Sequence, residues 1–430
     1  MPIRLDTSAA DFTARFKALL RTKREVSEDV SEAVRGIIAD VMARGDRALF
    51  ELTRRFDKFN PESLGLKVTP AEIATAASTC NGEALAALTL ARDRIEAFHR
   101  RQLPRDERFT DGLGVELGSR WTAIEAVGLY VPGGTAAYPS SVLMNAIPAR
   151  VAGVPRLVMV VPAPEGKLNP LVLAAAKLAG IDEVYRIGGA QAVAALAYGT
   201  ETIAPVAKIV GPGNAYVAAA KRLVFGTVGI DMIAGPSEVL ILADGDANPD
   251  WIAADLLAQA EHDVAAQAIL VTDDSALAAA VETAVERQLT TLPRAAVAAS
   301  AWRDHGAILL VAALDEAVPL VDALAPEHLE IACADAERLA GRIRNAGAIF
   351  IGHHTPEAIG DYVAGPNHVL PTARSARFSS GLGVLDFMKR TSILKLGAEQ
   401  LRALGPAAIA LGSAEGLDAH ARSVAIRLNR

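Results

Sequence analysis

The stretch with the clearest potential for chemistry is residues 255–263, D-L-L-A-Q-A-E-H-D, in which an amide and an imidazole lie three residues apart. Apolar residues recur there at helical spacing, and the preceding Pro249 is typical of a helix start. We therefore predict a helix that carries Gln259 and His262 on one face. The amide oxygen and the imidazole would supply half of a metal site. The alternative is a histidine that is stabilised by the helix dipole and binds nothing.

A second candidate is the adjacent pair Glu327-His328, which directly precedes an apolar strand candidate. Glutamate and histidine are proton acceptors with different ordinary pKa values, so together they could carry two proton transfers in one reaction cycle. An ordinary surface turn is the alternative interpretation of this pair.

Two further segments carry possible ligands. Asp361 could bind a metal or orient a histidine, and its alternative role is that of a helix cap or turn residue. Glu415 and His420 lie in a stretch that could equally be a solvated part of a terminal helix. A mixed nitrogen and oxygen shell, which suits zinc or a harder divalent ion, would be formed by Gln259, His262, Asp361 and His420.

Glycine-containing turns follow three of the apolar runs, and each begins a predicted helix whose N–H groups could approach a phosphate. No G-x-G-x-x-G fingerprint follows a strand, so each turn alone could be an ordinary tight turn. Three turns in one α/β unit nevertheless favour a nucleotide or phosphate crevice. They are Gly133-Gly134, Gly188-Gly189-Ala190-Gln191 and Gly211-Pro212-Gly213-Asn214.

The elements that must position these residues alternate between strands and helices from about residue 120. After a glycine-rich joint at residues 226–237 the same alternation starts again. This pattern is typical of parallel sheets that are covered by helices on both faces. The predicted fold class is therefore α/β, with two Rossmann-like domains, an incomplete dinucleotide fingerprint, and smaller helical N-terminal and C-terminal segments.

Changes in the pattern also predict the domain boundaries. Residues 1–120 are predicted to be a mainly helical region, and residues 121–236 the first α/β domain. The second α/β domain, with most of the metal and catalytic candidates, is predicted at 237–375, and a C-terminal helical segment at 376–430.

Composition excludes several functional classes. The chain has 430 residues, of which 51% are hydrophobic and 22% charged, so a large core is available. The formal net charge of −7 argues against a nucleic-acid or membrane partner. Only Cys80 and Cys333 are present, which argues against a disulfide framework or a thiolate zinc cluster. With neither a secretory signal nor a membrane span in the sequence, we predict a cytoplasmic protein.

These segments together resemble the histidinol dehydrogenase family over nearly the whole chain, and their order and spacing carry the resemblance. The family is expected to oxidise L-histidinol to L-histidine through L-histidinaldehyde, with two NAD+ reduced, as the last step of histidine biosynthesis. The most specific segments are residues 211–214, 234–238, 259–262, 325–330, 360–371, 377–382 and 416–420.

The resemblance also implies roles for individual residues. His328 would be the base that takes the alcohol proton, and Glu327 would activate the water that attacks the aldehyde. One zinc per subunit would be held by Gln259, His262, Asp361 and His420. The substrate pocket would be lined by Ser237, Gln259, His262, His328, Asp361, Glu415 and His420, and NAD would contact Tyr130, Gln191 and Asn214.

The resemblance further implies a homodimer whose active sites are completed across the interface. The C-terminal segment would then serve in dimerisation, and Glu415 and His420 could come from the partner chain.

Three other functions stay open at the level of the sequence. A dehydrogenase of similar architecture could act on another amino or sulfo alcohol, which NADH production from different alcohols would reveal. A zinc hydrolase could use Glu327 or His328 to activate water and would be indifferent to NAD. A two-lobed binding protein is the third alternative, because paired α/β units also suit hinge binding.

Overall fold

The computed structural model describes residues 2–21, 28–133, 138–181, 183–233 and 235–429, except for the side chains of residues 28 and 29. Within these ranges, no helix is both long and apolar enough to cross a membrane.

The strands form two six-stranded sheets and one three-stranded sheet. In chain order they are β1 (Ile3–Asp6), β2 (Lys67–Val68), β3 (Glu107–Thr110), β4 (Glu116–Ala123), β5 (Ala126–Tyr130), β6 (Arg156–Val161), β7 (Glu183–Arg186), β8 (Lys208–Val210), β9 (Gly229–Ile230), β10 (Glu238–Ala243), β11 (Gln267–Thr272), β12 (Ala307–Leu310), β13 (His328–Ala332), β14 (Ala348–Ile351) and β15 (Met388–Lys395).

Helices cover the two larger sheets and extend from them at both ends of the chain. They are α1 (Phe12–Arg21), α2 (Glu28–Arg44), α3 (Asp46–Phe56), α4 (Pro61–Leu64), α5 (Pro70–Thr79), α6 (Gly82–Arg100), α7 (Pro139–Val151), α8 (Pro170–Leu178), α9 (Gly189–Tyr198), α10 (Ala215–Val224), α11 (Pro249–Ala260), α12 (Ser275–Leu289), α13 (Ala295–His305), α14 (Leu314–Leu324), α15 (Ala336–Ala340), α16 (Glu357–Tyr362), α17 (Ala398–Ala414) and α18 (Asp418–Ala425). Short 3-10 helices occur at Pro164–Gly166, Ser375–Arg377, Val384–Phe387 and Ile426–Leu428.

The first sheet has the strand order β2-β7-β6-β5-β8-β9, and its strands are parallel except for β2, which runs antiparallel to β7. The chain moves outward from β5 through β6 to β7 and then returns to β8 on the other side of β5. Such a reversal opens a crevice at the carboxyl ends of the central strands, where ligands bind in open α/β sheets.

The second sheet is wholly parallel and has the order β1-β12-β11-β10-β13-β14. All residues of β10, β11 and β13 are buried because helices cover both faces of the sheet. The predicted α/β fold class, with two Rossmann-like units and helical terminal segments, is therefore confirmed. The predicted domain boundaries stay a prediction, and the N-terminal region contributes a strand to each large sheet.

The third sheet, in the order β15-β4-β3, is antiparallel and has no counterpart among the predicted elements. Most residues of β15 are exposed, and none of those in β3 or β4 is buried. The apolar pattern that marks a buried strand is therefore missing here. Within the region predicted to be mainly helical, α5 and α6 are separate helices, and Asn81 caps α6 by accepting a hydrogen bond from the Glu83 N–H at 2.9 Å.

The C-terminal helices α17 and α18 pack chiefly against each other and against the 3-10 helix Ile426–Leu428. Several of their large apolar side chains are exposed to solvent. These are Leu404, Leu411 and Ile426, with Leu417 in the turn between the two helices.

Candidate active site

The pair Glu327 and His328 is held at the amino end of β13 by the backbone of the neighbouring strand β10. The N–H of Glu238 donates to Oε2 of Glu327 at 2.9 Å, and the carbonyl oxygen of Glu238 lies 3.0 Å from Nδ1 of His328. A carbonyl can only accept, so this contact assigns the proton to Nδ1. Nε2 of His328 is then free to accept a proton, and it is buried without a hydrogen-bond partner among the described residues.

Three carboxylates surround the imidazole of His328. Oε2 of Glu327 and Oε2 of Glu357 each lie 3.8 Å from Nδ1, and Oδ1 of Asp361 lies 3.6 Å from Nε2. Burial alone would lower the pKa of His328, but the charges of Glu357, Glu327 and Asp361 raise it well above the ordinary histidine value. The site therefore stabilises the imidazolium that forms when this ring accepts a second proton.

Burial also changes the carboxyl groups themselves. It raises the pKa of Glu327 to about 7 and that of Glu357 to about 8. Behind Glu357, its backbone N–H donates to Oε1 of Glu330 at 2.6 Å. Burial, with the charge of Asp255, raises the pKa of Glu330 well above its usual range. A continuous group of buried carboxyls thus lies behind His328.

Glu357 was not among the predicted site residues, although a signal for it exists in the sequence. It precedes Asp361 by four residues on α16, so the two side chains share one helix face. Oε2 of Glu357 is buried without a hydrogen-bond partner among the described residues. This side chain belongs to the site by position, burial and distance from His328.

Gln259 and His262 remain neighbours, although the prediction that one helix carries both is wrong. α11 ends at Ala260, so His262 lies two residues beyond its last turn. Nε2 of Gln259 is nevertheless 3.3 Å from Nδ1 of His262. Oε1 of Gln259 is buried and has no hydrogen-bond partner among the described residues, which leaves an acceptor available for a ligand.

Asp361 completes this cluster from α16. Burial would raise its pKa, but the nearby imidazole of His328 lowers it, and the charge of His262 contributes in the same direction. Partial removal from water lowers the pKa of His262, whereas the negative charge of Asp361 acts to raise it. His262 keeps an exposed side, so Gln259, His262 and Asp361 converge at the solvent boundary of the site.

The fourth predicted metal ligand lies elsewhere in this chain. His420 is exposed on α18, and Glu415 is exposed where α17 ends. In the part of the chain that the structure describes, no three His, Cys, Asp or Glu side chains form a group that could hold a metal ion. Within the described residues, His262 and Asp361 are the predicted ligands of those types that lie near each other, beside the amide group of Gln259.

The predicted coenzyme residues lie at the carboxyl edge of the first sheet. Tyr130 ends β5, and its hydroxyl accepts a hydrogen bond from the Gly189 N–H at 3.0 Å. Gln191 is buried in the first turn of α9, beside Gly189. Asn214 caps α10 by accepting from the N–H groups of Tyr216 and Val217 at 3.1 and 3.2 Å. Of the predicted turn Gly133-Gly134, Gly134 lies outside the described residues.

A buried ion pair fixes the turn that carries Asn214. Asp231 accepts from the Gly211 N–H at 2.7 Å, and Nζ of Lys221 donates to the Gly211 carbonyl oxygen at 2.9 Å. Lys221 and Asp231 also contact each other directly. Gly211 has φ of 113°, and a Cβ there would collide with the carbonyl of Tyr130, so only glycine fits.

The segment after α16 connects the two halves of the site. Nδ1 of His368 contacts the Asp361 carbonyl oxygen at 3.0 Å, and Nε2 of His368 contacts Oγ of Ser141 at 3.4 Å. Nδ2 of Asn367 donates to the Met144 carbonyl oxygen at 2.6 Å. Because Ser141 and Met144 lie in α7, the first helix after β5, the Asp361 cluster faces the coenzyme side of the first sheet.

Comparison with known proteins decides the family. The profile described as histidinol dehydrogenase matches residues 20–428. The chain belongs to the histidinol dehydrogenase family. The resemblance inferred from the sequence is thereby confirmed, as is the predicted enzyme class, an NAD-dependent oxidoreductase of histidine biosynthesis.

Histidinol dehydrogenases from several bacteria match this chain over all or nearly all of their length. The histidinol dehydrogenase of Nitrobacter winogradskyi is 73% identical over 429 residues, which cover 100% of both chains. That of Brucella abortus (strain 2308) is 72% identical over 419 residues, or 97% of each chain. The crystal structure of histidinol dehydrogenase from Elizabethkingia anophelis matches with a TM-score of 0.94 at 36% identity, covering 100% of this chain and 98% of the other.

Proposed function

We propose that this enzyme oxidises L-histidinol to L-histidine through L-histidinaldehyde, with two NAD+ reduced, as the last step of histidine biosynthesis. The observation that carries the proposal is the pairing of Glu327 and His328 on the backbone of Glu238, next to the cluster of Gln259, His262 and Asp361. Two bases of different kinds suit two successive oxidations at one carbon atom.

In the first oxidation, Nε2 of His328 takes the proton of the substrate hydroxyl, and NAD+ held beside Tyr130, Gln191 and Asn214 would accept the carbon-bound hydride. The products are the aldehyde, NADH and an imidazolium. The hydrogen bond from Nδ1 to the Glu238 carbonyl holds the ring so that Nε2 faces Asp361. Carboxylates near the ring stabilise the imidazolium that forms.

In the second oxidation, Glu327 takes a proton from the water that attacks the aldehyde. The resulting hydrate anion would become the carboxylic acid when a second NAD+ accepts its carbon-bound hydride. Burial keeps the pKa of Glu327 near 7, which matches a base that must accept and release a proton near neutral pH. A buried site also retains the reactive aldehyde between the two steps.

The side chains fit one zinc ion per subunit if a fourth ligand comes from outside the buried cluster. Gln259 offers a buried, unpartnered oxygen, His262 a ring nitrogen and Asp361 a carboxylate, and this mixed donor set suits zinc. His420 is the proposed fourth ligand. Bound zinc would orient the substrate through its imidazole and amino nitrogens. Ser237, half-buried at the start of β10, and Glu415 are proposed to complete the substrate pocket.

We place NAD at the carboxyl edge of the first sheet, in contact with Tyr130, Gln191 and Asn214. N–H groups at the starts of α9 and α10 favour the pyrophosphate there. His368 and Asn367 connect this edge to Asp361, which supports hydride transfer between the two units.

We also propose a homodimer in which α17 and α18 of one chain reach the active site of the other. His420 and Glu415 are exposed, although the proposed roles require contact with substrate or metal. The exposed apolar side chains of the same helices, including Leu411, would be buried by such an exchange. Cys80 and Cys333 are both free thiols, in keeping with the proposed cytoplasmic location.

The first test is NADH absorbance after the purified protein is mixed with L-histidinol and NAD+, with and without prior zinc stripping. We expect two NADH per histidinol, a loss of activity on stripping, and recovery with zinc. One NADH per histidinol would contradict the role of Glu327. No NADH from the zinc-loaded protein would refute the function and favour a related dehydrogenase for another alcohol.

A further inference from the structure

Asp57 lies at the carboxyl end of β6, although it comes from a distant part of the chain. It directly follows α3, and its N–H donates to the Thr53 carbonyl oxygen at 2.8 Å. Its own carbonyl oxygen accepts from the Glu165 N–H at 2.7 Å, and Glu165 belongs to the turn after β6. The end of α3 is thus fixed against the edge of the first sheet.

The Asp57 carboxylate has unused hydrogen-bonding capacity. The residue is 7% exposed, and Oδ2 is buried with no hydrogen-bond partner among the described residues. One helical turn earlier, Oγ1 of Thr53 is also buried and without a partner among them. An unmet buried polar atom is costly, so two of them on one helix face indicate a place for a ligand with hydroxyl groups.

The same carboxylate lies close to a proposed coenzyme residue. Burial raises the pKa of Tyr130 to about 12, and the nearby charge of Asp57 adds to this effect. Tyr130 ends β5, which is paired with β6, and its hydroxyl contacts the Gly189 N–H at the start of α9. Asp57, Tyr130 and Gly189 therefore border one crevice.

In dinucleotide-binding folds, a carboxylate at the end of the second strand commonly accepts hydrogen bonds from the adenosine ribose. β6 is the strand that follows β5 both in the chain and in the sheet. In the turn after β6 the one acidic residue is Glu165, and its side chain pairs with Lys167 at 2.8 Å on the surface. In this protein Asp57, which directly follows α3, lies where such folds have the carboxylate at the end of the second strand.

We propose that Asp57 accepts hydrogen bonds from the adenosine ribose of NAD and thereby selects NAD over NADP. The inference rests on the proposed function, because it requires the coenzyme at the edge that Tyr130 marks. A ribose diol brings O–H donors to the unpartnered oxygen. A 2′-phosphate brings acceptors and negative charge, which a buried carboxylate repels.

The test compares kcat/KM for NAD+ and NADP+ at saturating L-histidinol in the wild type and in Asp57→Asn. We expect the preference for NAD+ to fall at least about tenfold, mainly through the two coenzyme KM values. The KM for L-histidinol should not change. Glu165→Gln is the matched control, because it removes the surface carboxylate of the same turn and keeps the backbone N–H that holds Asp57; its preference should equal that of the wild type.

A second measurement needs no variant. The wild-type enzyme should show a KM at least about tenfold higher for an NAD+ analogue that lacks the adenosine 2′-hydroxyl. An unchanged KM for this analogue, or an unchanged preference in folded Asp57→Asn, would overturn the inference. Those results leave histidinol-dependent NADH production intact, whereas failure of the proposed function would abolish it in the wild type.

Discussion

Replacement of Glu327 by glutamine tests the division of labour between the two proposed bases. The amide oxygen can still accept from the Glu238 N–H, so the local geometry is retained. A positioned general base contributes about 10²–10⁴-fold to a rate, which corresponds to about 3–5 kcal/mol of barrier. Aldehyde oxidation should therefore slow by about that factor.

Alcohol oxidation in the same variant should slow much less. The charge that the substitution removes lies 3.8 Å from Nδ1 of His328. At this distance a full charge contributes about 1 kcal/mol if bulk water screens it and about 4 kcal/mol near a protein surface. Glu357 remains at the same 3.8 Å from Nδ1 and Asp361 at 3.6 Å from Nε2, so part of the stabilisation of the imidazolium is retained. With a pKa of about 7, Glu327 is only partly ionised near neutral pH, so we expect the lower end of this range, a loss of about tenfold or less in this step.

The assay is single-turnover NADH formation, with L-histidinol and L-histidinaldehyde supplied separately. Burial raises the pKa of Glu327 to about 7, so the rate of aldehyde oxidation by the wild type should increase as pH rises through 7. The rate in the variant should not show this increase. Glu357→Gln is the comparison, because it removes a carboxylate at the same distance from Nδ1 and should slow both steps alike. Equal losses in both steps for Glu327→Gln would refute the reasoning.

The remaining predictions concern the other base, the metal and stability. His328→Asn should slow both half-reactions in the same single-turnover assay, and alcohol oxidation by about 10²–10⁴-fold, so retained alcohol oxidation would contradict the role of Nε2. Gln259→Met removes the unpartnered side-chain oxygen, so the amount of zinc that the protein retains after dialysis should fall about tenfold or more. Atomic absorption measures this amount, and the same amount as in the wild type would exclude Gln259 as a zinc ligand. Burial raises the pKa of Asp57 to about 6, so the stability it contributes is present below pH 4 and is lost as pH rises through 6. The free energy of unfolding of Asp57→Asn should accordingly exceed that of the wild type by about 1–2 kcal/mol at pH 8 and equal it at pH 4. Thermal unfolding at the two pH values measures this difference, and a larger gain at pH 4 than at pH 8 would contradict the predicted direction.

Those parts of the fold that bury both faces of their strands could be predicted from the sequence. β10 and β13 read as continuous apolar runs because helices cover them on both sides. β3, β4 and β15 were missed because their residues pair in a largely exposed sheet, where alternating burial gives no signal. A local sequence pattern reveals a strand where burial requires apolar residues, and few residues of these three strands are buried.

The candidate site shows the same limit. Gln259 and His262 could be paired from the sequence because only three positions separate them, although His262 lies beyond the end of α11. Glu357 and Asp57 were missed because they lie near His328 and near Tyr130, respectively, only in the folded chain. A carboxyl residue in a sequence gives no indication of whether it will be buried, and burial is what gives these two their properties.

The pairing of β1 with β12 has a consequence for how the chain is made. Ile3 pairs with Ala307, so the second sheet cannot gain its edge strand until the ribosome has passed residues 307–310. All strands of the first sheet, from β2 to β9, have by then left the ribosome and can pair with one another. Leu5, which is buried in the finished protein, must wait unpaired during this interval. Residues 3–6 are synthesised long before the strand they pair with and are therefore among the last to reach their native position.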